Sequence, residues 1–296
     1  MDELHLITQH RILLSFRLDE WEYYDPHQDE WFTLQLTPPP PNDTAWDAFA
    51  AGNQLLMYSR QLNMIGLQDC RRYNTGTNSW LPGVQMNRPR SLFGSASYDD
   101  GAIVAGGYDA RGATLKSAEL YMDGQWTPLP NMNKRRKECS GVFMDGKFYV
   151  IGGTNELDMV LTCGEEFDLN THVWSEIPRM ALGLQRQNGA PPLVAVVNNE
   201  LYAAVFYPRK ELKKYDMDSG GWETIDGSLP DSINSTHGFR VGFRACGDRL
   251  LLIGGTRGGE EIEIYSFRPN HWWPHWNCIA TLAPRPSLRS CVVTLN

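Results

Sequence analysis

No run of about 18 or more apolar residues occurs in this chain, so the sequence offers no membrane-spanning helix. An excess of base is missing too. The 27 Lys and Arg face 35 Asp and Glu, for a formal net charge of -8, the reverse of the balance by which nucleic-acid binders hold phosphate. The first ten residues lack the basic stretch and apolar core of a signal peptide. Paired cysteines are absent: Cys70, Cys139, Cys163, Cys246, Cys278 and Cys291 form no C-x-x-C. With no secretion signal, they read as free, mostly buried thiols of a reducing compartment. Phosphate loops, dinucleotide fingerprints, G-x-S-x-G and H-E-x-x-H are all lacking, and no window of helical period stands out.

What the chain has is a repeat. An aromatic residue is followed a few positions later by Trp at Tyr24/Trp31, Tyr73/Trp80, Tyr121/Trp126, Phe167/Trp174, Tyr215/Trp222 and Tyr265/Trp276. The first members lie 49, 48, 46, 48 and 50 residues apart. Glu22, Glu119, Glu165 and Glu263 each stand two residues before the aromatic. Earlier in the unit an apolar run ends in two glycines: Ala102–Ala105 before Gly106 and Gly107, Phe148–Ile151 before Gly152 and Gly153, and Leu250–Ile253 before Gly254 and Gly255.

Short apolar runs bounded by Gly, Asp, Asn and Pro are strand signals, and each unit reads as four of them. A period near 50 residues with four strands and a Gly-Gly is the mark of a kelch repeat. The sequence therefore predicts an all-β fold, a six-bladed kelch β-propeller with four antiparallel strands per blade, as one domain over 1–296. The blades fall near 8–37 with 287–296, then 46–85, 91–131, 138–179, 191–230 and 239–284. The first unit holds only three strands, and Ser290–Leu295 is an orphan. That C-terminal strand is expected to complete the N-terminal blade and close the ring, which removes exposed sheet edges. The glycines are expected where backbones approach closely, and the aromatic rings in the wedges between blades.

A narrower resemblance rides on Met86–Ser97 (MNRPRSLFGSAS), Ser117–Tyr121, Met132–Lys134, Val142–Gly146, Pro191–Val197 and Phe243–Asp248. These stretches resemble plant F-box/kelch-repeat proteins, from about Leu13 onward. The resemblance implies a ring that captures a protein substrate, while an N-terminal F-box docks on the Skp1–cullin core of a ubiquitin ligase. The first strand is expected near residue 11, so the F-box reads as lacking and the Skp1–cullin core as a partner only if one exists upstream. The expectation is a monomeric protein-interaction module, cytoplasmic or nuclear, with no cofactor, membrane or nucleic acid. A kelch-fold enzyme with a site in the central channel, or a scaffold unrelated to ubiquitin, are the alternatives.

The segments leading into each innermost strand carry arginine, with Met-x-x-x-Arg at Met86/Arg90 and Met132/Arg136. In similar adaptors arginines there line the mouth that faces the substrate. A planar guanidinium suits paired carboxylates, so Arg90, Arg136, Arg186, Arg240 and Arg289 are expected to read an acidic segment of a partner. The competing reading has them brace the loops through backbone carbonyls. Trp272 and Trp273 are expected to pack under their loop. No metal site is expected: Pro274 separates His271 from His275, which breaks helical ligand spacing. Asp168 and His172 resemble part of an iron-site pattern, but Gly164 occupies its Glu position.

Overall fold

The computed structural model describes residues 10–15, 20–25, 30–35, 46–62, 68–77, 79–184, 190–225, 228–233, 241–255, 261–282 and 290–295. Among them there is no helix. The strands are β1 (His10–Ser15), β2 (Glu20–Asp25), β3 (Glu30–Gln35), β4 (Trp46–Ala51), β5 (Gln54–Leu62), β6 (Gln68–Asn74), β7 (Ser79–Pro82), β8 (Gly94–Tyr98), β9 (Gly101–Ala105), β10 (Ala118–Met122), β11 (Gln125–Leu129) and β12 (Ser140–Met144). They continue with β13 (Lys147–Ile151), β14 (Gly164–Asp168), β15 (Val173–Ile177), β16 (Val194–Val197), β17 (Glu200–Val205), β18 (Glu211–Asp216), β19 (Gly221–Thr224), β20 (Val241–Cys246), β21 (Arg249–Gly255), β22 (Ile262–Phe267), β23 (Trp276–Leu282) and β24 (Ser290–Leu295).

Every sheet is antiparallel and four-stranded. Five are blades of four consecutive strands: β4–β7, β8–β11, β12–β15, β16–β19 and β20–β23. The first aromatic pair, in the unit read from sequence as one strand short, lies in a composite sheet of order β24-β1-β2-β3, where the C-terminal strand supplies the fourth as expected. There β1 and β24 pair over six residues, from His10 opposite Leu295 to Ser15 opposite Ser290.

Contacts divide the chain into two compact units, Asn42–Pro192 and Met1–Pro41 with Leu193–Asn296. Within the Asn42–Pro192 unit, β8 lies against both β4 and β12. Within the other, β20 lies against β16 and β24. Second strands such as β9 and β13 are buried on both faces, which explains their unbroken apolar composition. The outer strands β11 and β15 bury their Trp and expose most of their other residues.

Turn chemistry sets the hairpins. Asp123-Gly124, Asp145-Gly146 and Asn198-Asn199 all have φ between 51° and 77° at both positions, the left-handed pair that a two-residue turn needs to match strand twist.

The recurring aromatic and Trp prove to be cross-strand partners. Tyr24 faces Trp31, Tyr73 faces Trp80, Tyr121 faces Trp126, Phe167 faces Trp174 and Tyr215 faces Trp222. The last pair departs from expectation. A bulge between Ile264 and Tyr265 shifts the register, so Trp276 faces Phe267, with ring centroids 5.0 Å apart, and Tyr265 faces Cys278.

The rings fill the space between neighbouring sheets. Phe49, Tyr58, Tyr121 and Trp126 cluster with Met86 and Val104 between the β4–β7 and β8–β11 sheets. Phe148, Phe167 and Trp174 cluster with Ile103, Met132 and Cys139 one sheet further on. Burying each such side chain is worth about 1.5–3 kcal/mol. Trp126 Nε1 donates to Tyr58 Oη at 3.0 Å and Trp174 Nε1 to the Pro130 carbonyl at 2.8 Å, so neither indole leaves a donor unpaired.

Candidate functional site

The segments joining one sheet to the next carry the charged residues singled out in the sequence. Two of them, between β7 and β8 and between β11 and β12, repeat one design. In the first, Arg90 Nη2 donates to Glu119 Oε1 on β10 at 2.7 Å. Its Nη1 reaches the Gly106 and Ser117 carbonyls at 3.0 and 2.7 Å. In the second, Arg136 Nη2 donates to Glu165 Oε1 on β14 at 2.7 Å, and Nη1 to the Gly152 and Cys163 carbonyls at 2.9 and 3.4 Å.

The glutamates serve further donors. Glu119 accepts the Asn87 and Arg88 backbone N–H groups at 2.8 and 3.0 Å, and Asn87 Nδ2 at 3.0 Å. Glu165 accepts the Asn133 and Lys134 N–H groups at 2.6 and 3.0 Å. The motif Met-Asn-Arg/Lys-x-Arg is thus a clamp. The Met side chain is buried between sheets, the Asn amide ties the outer strand, and the Arg–Glu pair pins the connection to the sheet that follows it. Asn87 Nδ2 reaches the Trp126 carbonyl at 2.9 Å and Asn133 Nδ2 the Trp174 carbonyl at 3.3 Å.

This placement corrects the expectation that Arg90 and Arg136 face a partner. Both side chains are 0% exposed, and their terminal nitrogens are turned onto four peptide carbonyls and two carboxylates of the same chain rather than outward. Burial lowers the Arg90 pKa and the adjacent Glu119 charge works to restore it. Arg186, Arg240 and Arg289 lie outside the described residues.

The paired glycines sit against these same connections, where backbones approach closely. Gly106 and Gly107 (φ +72° and +86°) and Gly152 and Gly153 (φ +64° and +89°) follow the second strand of their sheets. A Cβ on Gly107 would stand 2.5 Å from the Ser91 carbonyl oxygen, and one on Gly153 2.3 Å from that of Lys137. Gly254 and Gly255 behave differently. They continue β21, pair with Glu263 and Ile262, and are not among the residues of positive φ. At the glutamate position of β18 stands Lys213, two before Tyr215, and it pairs with Glu211 at 2.9 Å.

Side chains free to meet another molecule are the ones the repeat does not use. Arg88 and Arg135 are exposed; Arg88 approaches Asp109 at 3.4 Å and Arg135 Nη1 rests on the Thr114 carbonyl at 2.9 Å. The β13–β14 loop exposes Leu157 (71%), Met159 (55%) and Val160 (52%). Sequence reasoning missed that loop; its signal was an apolar cluster where the preceding repeat has Arg111, Ala113 and Thr114. Trp272 (86%) and Trp273 (66%) also project into solvent, with centroids 6.4 Å apart, rather than packing under their loop. Trp276 is partly buried against its unit's core.

Asp168 and His172 bracket a turn. Asp168 Oδ1 accepts the Asn170 and Thr171 N–H groups at 2.8 and 3.0 Å, and His172 closes it with φ +58°. Among the described residues no group of three or more His, Cys, Asp or Glu is placed to hold a metal. Burial pushes the Cys139 thiol up to about 11.

Four-stranded antiparallel sheets, a glycine pair after the second strand and an arginine–glutamate clamp beneath the connections define kelch-type β-propeller architecture. The Kelch motif family matches residues 135–181. A solved structure titled "Structure of YjhT" shares the fold, with a TM-score of 0.65 at 13% identity over 88% of this chain and 91% of that one.

The chain belongs to the F-box/kelch-repeat protein family. It is 42% identical to "F-box/kelch-repeat protein At1g26930" of Arabidopsis thaliana, over 96% of this chain and 70% of that protein. It is 41% identical to "F-box/kelch-repeat protein At1g74510" of the same plant, over 97% and 68%. To "F-box/kelch-repeat protein SKIP11" it is 43% identical, over 90% and 60%.

Proposed function

We propose that this chain recognises a partner protein and serves as the substrate-recognition part of an adaptor of SCF-type ubiquitin ligases. The reading rests above all on 42% identity to an F-box/kelch-repeat protein across 96% of the chain. The division of labour in the sheets agrees with it. Buried charge is spent on holding connections in place, while loops outside the clamps carry exposed apolar and cationic side chains, the composition of a docking surface on a rigid scaffold. On this reading the chain acts as a monomer in the cytoplasm or nucleus, without catalysis or cofactor.

The test is capture followed by transfer. Chain 1–296, immobilised, is expected to retain a defined set of proteins from native plant extract. Fused behind an F-box and assembled with Skp1, cullin and E2, it is expected to direct ubiquitin onto those proteins. Retention without transfer would leave a scaffold and refute the ligase reading; no retention at all would refute recognition.

A further inference from the structure

The β13–β14 loop and its neighbour between β9 and β10 are two copies of one backbone. Asp109 Oδ1 accepts the Arg111 and Ala113 N–H groups at 3.0 Å each; Asn155 Oδ1 accepts those of Leu157 and Met159 at 2.9 and 3.0 Å. Asp109 N donates to the Ala113 carbonyl at 3.1 Å, and Asn155 N to that of Met159 at 3.0 Å. The fourth residue of each, Gly112 and Asp158, has positive φ (+76° and +56°). Identical geometry with different side chains means that folding does not require large apolar groups at the tip. Leu157, Met159 and Val160 nonetheless stand in solvent together, and contiguous exposed apolar surface on a loop marks contact with another molecule.

The segment Arg135–Lys137 lies between the two loops. On one side Arg136 N donates to the Leu115 carbonyl at 3.0 Å and Gly107 N to that of Arg136 at 2.8 Å; on the other Lys137 N and Thr154 N exchange bonds at 2.9 and 2.8 Å. The order across the surface is therefore Arg111 loop, Arg135 segment, apolar loop. Arg111 and Arg135 are exposed and have no carboxylate partner among the described residues. Asp158 is answered by Lys137 at 2.6 Å, and Glu156, also exposed, borders the apolar group on the Asn155 side. The strip is cationic along one edge and apolar along the next.

We propose that this strip binds an extended segment of a partner protein in which an Asp or Glu lies within a few residues of a large apolar side chain. The carboxylate pairs with Arg111 and Arg135, and the apolar side chain covers Leu157, Met159 and Val160. The inference rests on the partner-recognition reading and gives it a location and a chemistry. Two exposed arginines on adjoining segments favour a carboxylate over a neutral group, through charge-assisted hydrogen bonds. An apolar anchor beside them supplies affinity that survives salt.

A random peptide display library panned on the full chain tests this. Expected winners pair Asp or Glu with Leu, Ile, Met or Phe at short spacing. Exchanging the loop for its neighbour's residues (Glu156→Ala, Leu157→Arg, Asp158→Gly, Met159→Ala, Val160→Thr) should weaken them about tenfold or more while leaving thermal unfolding unchanged. Arg111→Glu with Arg135→Glu should turn selection toward basic peptides. Winners that bind both variants as tightly as the parent overturn the proposed strip and leave partner recognition standing elsewhere. Sedimentation that shows a parent dimer and a loop-exchanged monomer overturns it too, since the apolar group would then be covered by a second copy. If neither peptides nor extract proteins bind the parent, it is the recognition reading that fails.

Discussion

Replacing Arg136 by Met separates the two roles considered for this residue. The substitution keeps an unbranched stem and removes the guanidinium. Glu165 is 0% exposed and would lose its only ion-pair partner among the described residues, keeping the Asn133 and Lys134 N–H groups. The Gly152 carbonyl would lose a bond of 2.9 Å. Breaking a buried pair from one side costs about 3–5 kcal/mol, mostly the penalty of the stranded charge. In domains of 150–250 residues each kcal/mol moves Tm by about 2–4 °C, so a fall of about 6–20 °C is expected. Differential scanning calorimetry and urea titration followed by Trp fluorescence read the loss directly. A second variant, Arg136→Met with Glu165→Leu, removes both charges. It should recover part of the loss but not all, because the Asn133 and Lys134 N–H groups then lack their acceptor, at about 1–3 kcal/mol for each buried donor. A fall below about 1 kcal/mol, or lost partner capture at unchanged stability, would refute the clamp and restore Arg136 to a binding role.

Three further outcomes are expected. Cys139 has its ordinary value of 9.0 raised to about 11 by burial. Between those values the folded thiol keeps a proton the unfolded one has lost, so stability falls as pH rises from 9 toward 11. Cys139→Val should flatten that limb in urea titrations across the range, and in native protein iodoacetamide should label exposed Cys278 well before Cys139. Gly153→Ala should cost more than about 1–2 kcal/mol, since φ is +89° and the new Cβ meets the Lys137 carbonyl oxygen at 2.3 Å. Gly255→Ala, within β21, where the new Cβ would make only ordinary contacts with Ile262 Cδ1 and the Glu261 carbonyl oxygen at 3.8 and 3.9 Å, should stay within about 1 kcal/mol of the parent by the same melting assay. Removing residues 290–296 bares the β1 edge, and the Met1–Pro41 with Leu193–Asn296 unit should unfold in less urea. Unchanged melting would mean that β24 contributes no pairing.

Much of the architecture was legible because it is written in side chains that must recur. Tyr or Phe opposite Trp is a register constraint, and five of the six pairs counted from spacing fall opposite each other as backbone partners. The exception has a local cause: the bulge at Ile264/Tyr265 moves Phe267 opposite Trp276, and no pattern of aromatic spacing encodes a bulge. The arginines were harder. Met-x-x-x-Arg was visible, but its direction depends on whether a carboxylate waits underneath. Glu119 and Glu165 were already marked by the repeat, two residues before the aromatic. What spacing could not say is that an Arg from the preceding connection closes on each of them across roughly thirty residues. The exposed loop was missed because strands announce themselves by alternation, whereas a tip of Leu157, Met159 and Val160 resembles the start of another strand.

The composite sheet also has a temporal side. Synthesis runs from β1 toward β24, and His10 and Ser290 are separated by 280 positions. At about 5–20 residues per second, the first strand waits about 15–55 s for the neighbour that covers its edge. During that interval β1 offers an unpaired edge that the finished sheet covers, open to any other strand in reach. The delay is a property of the wiring, and a circular permutant that places β24 directly ahead of β1 would abolish it.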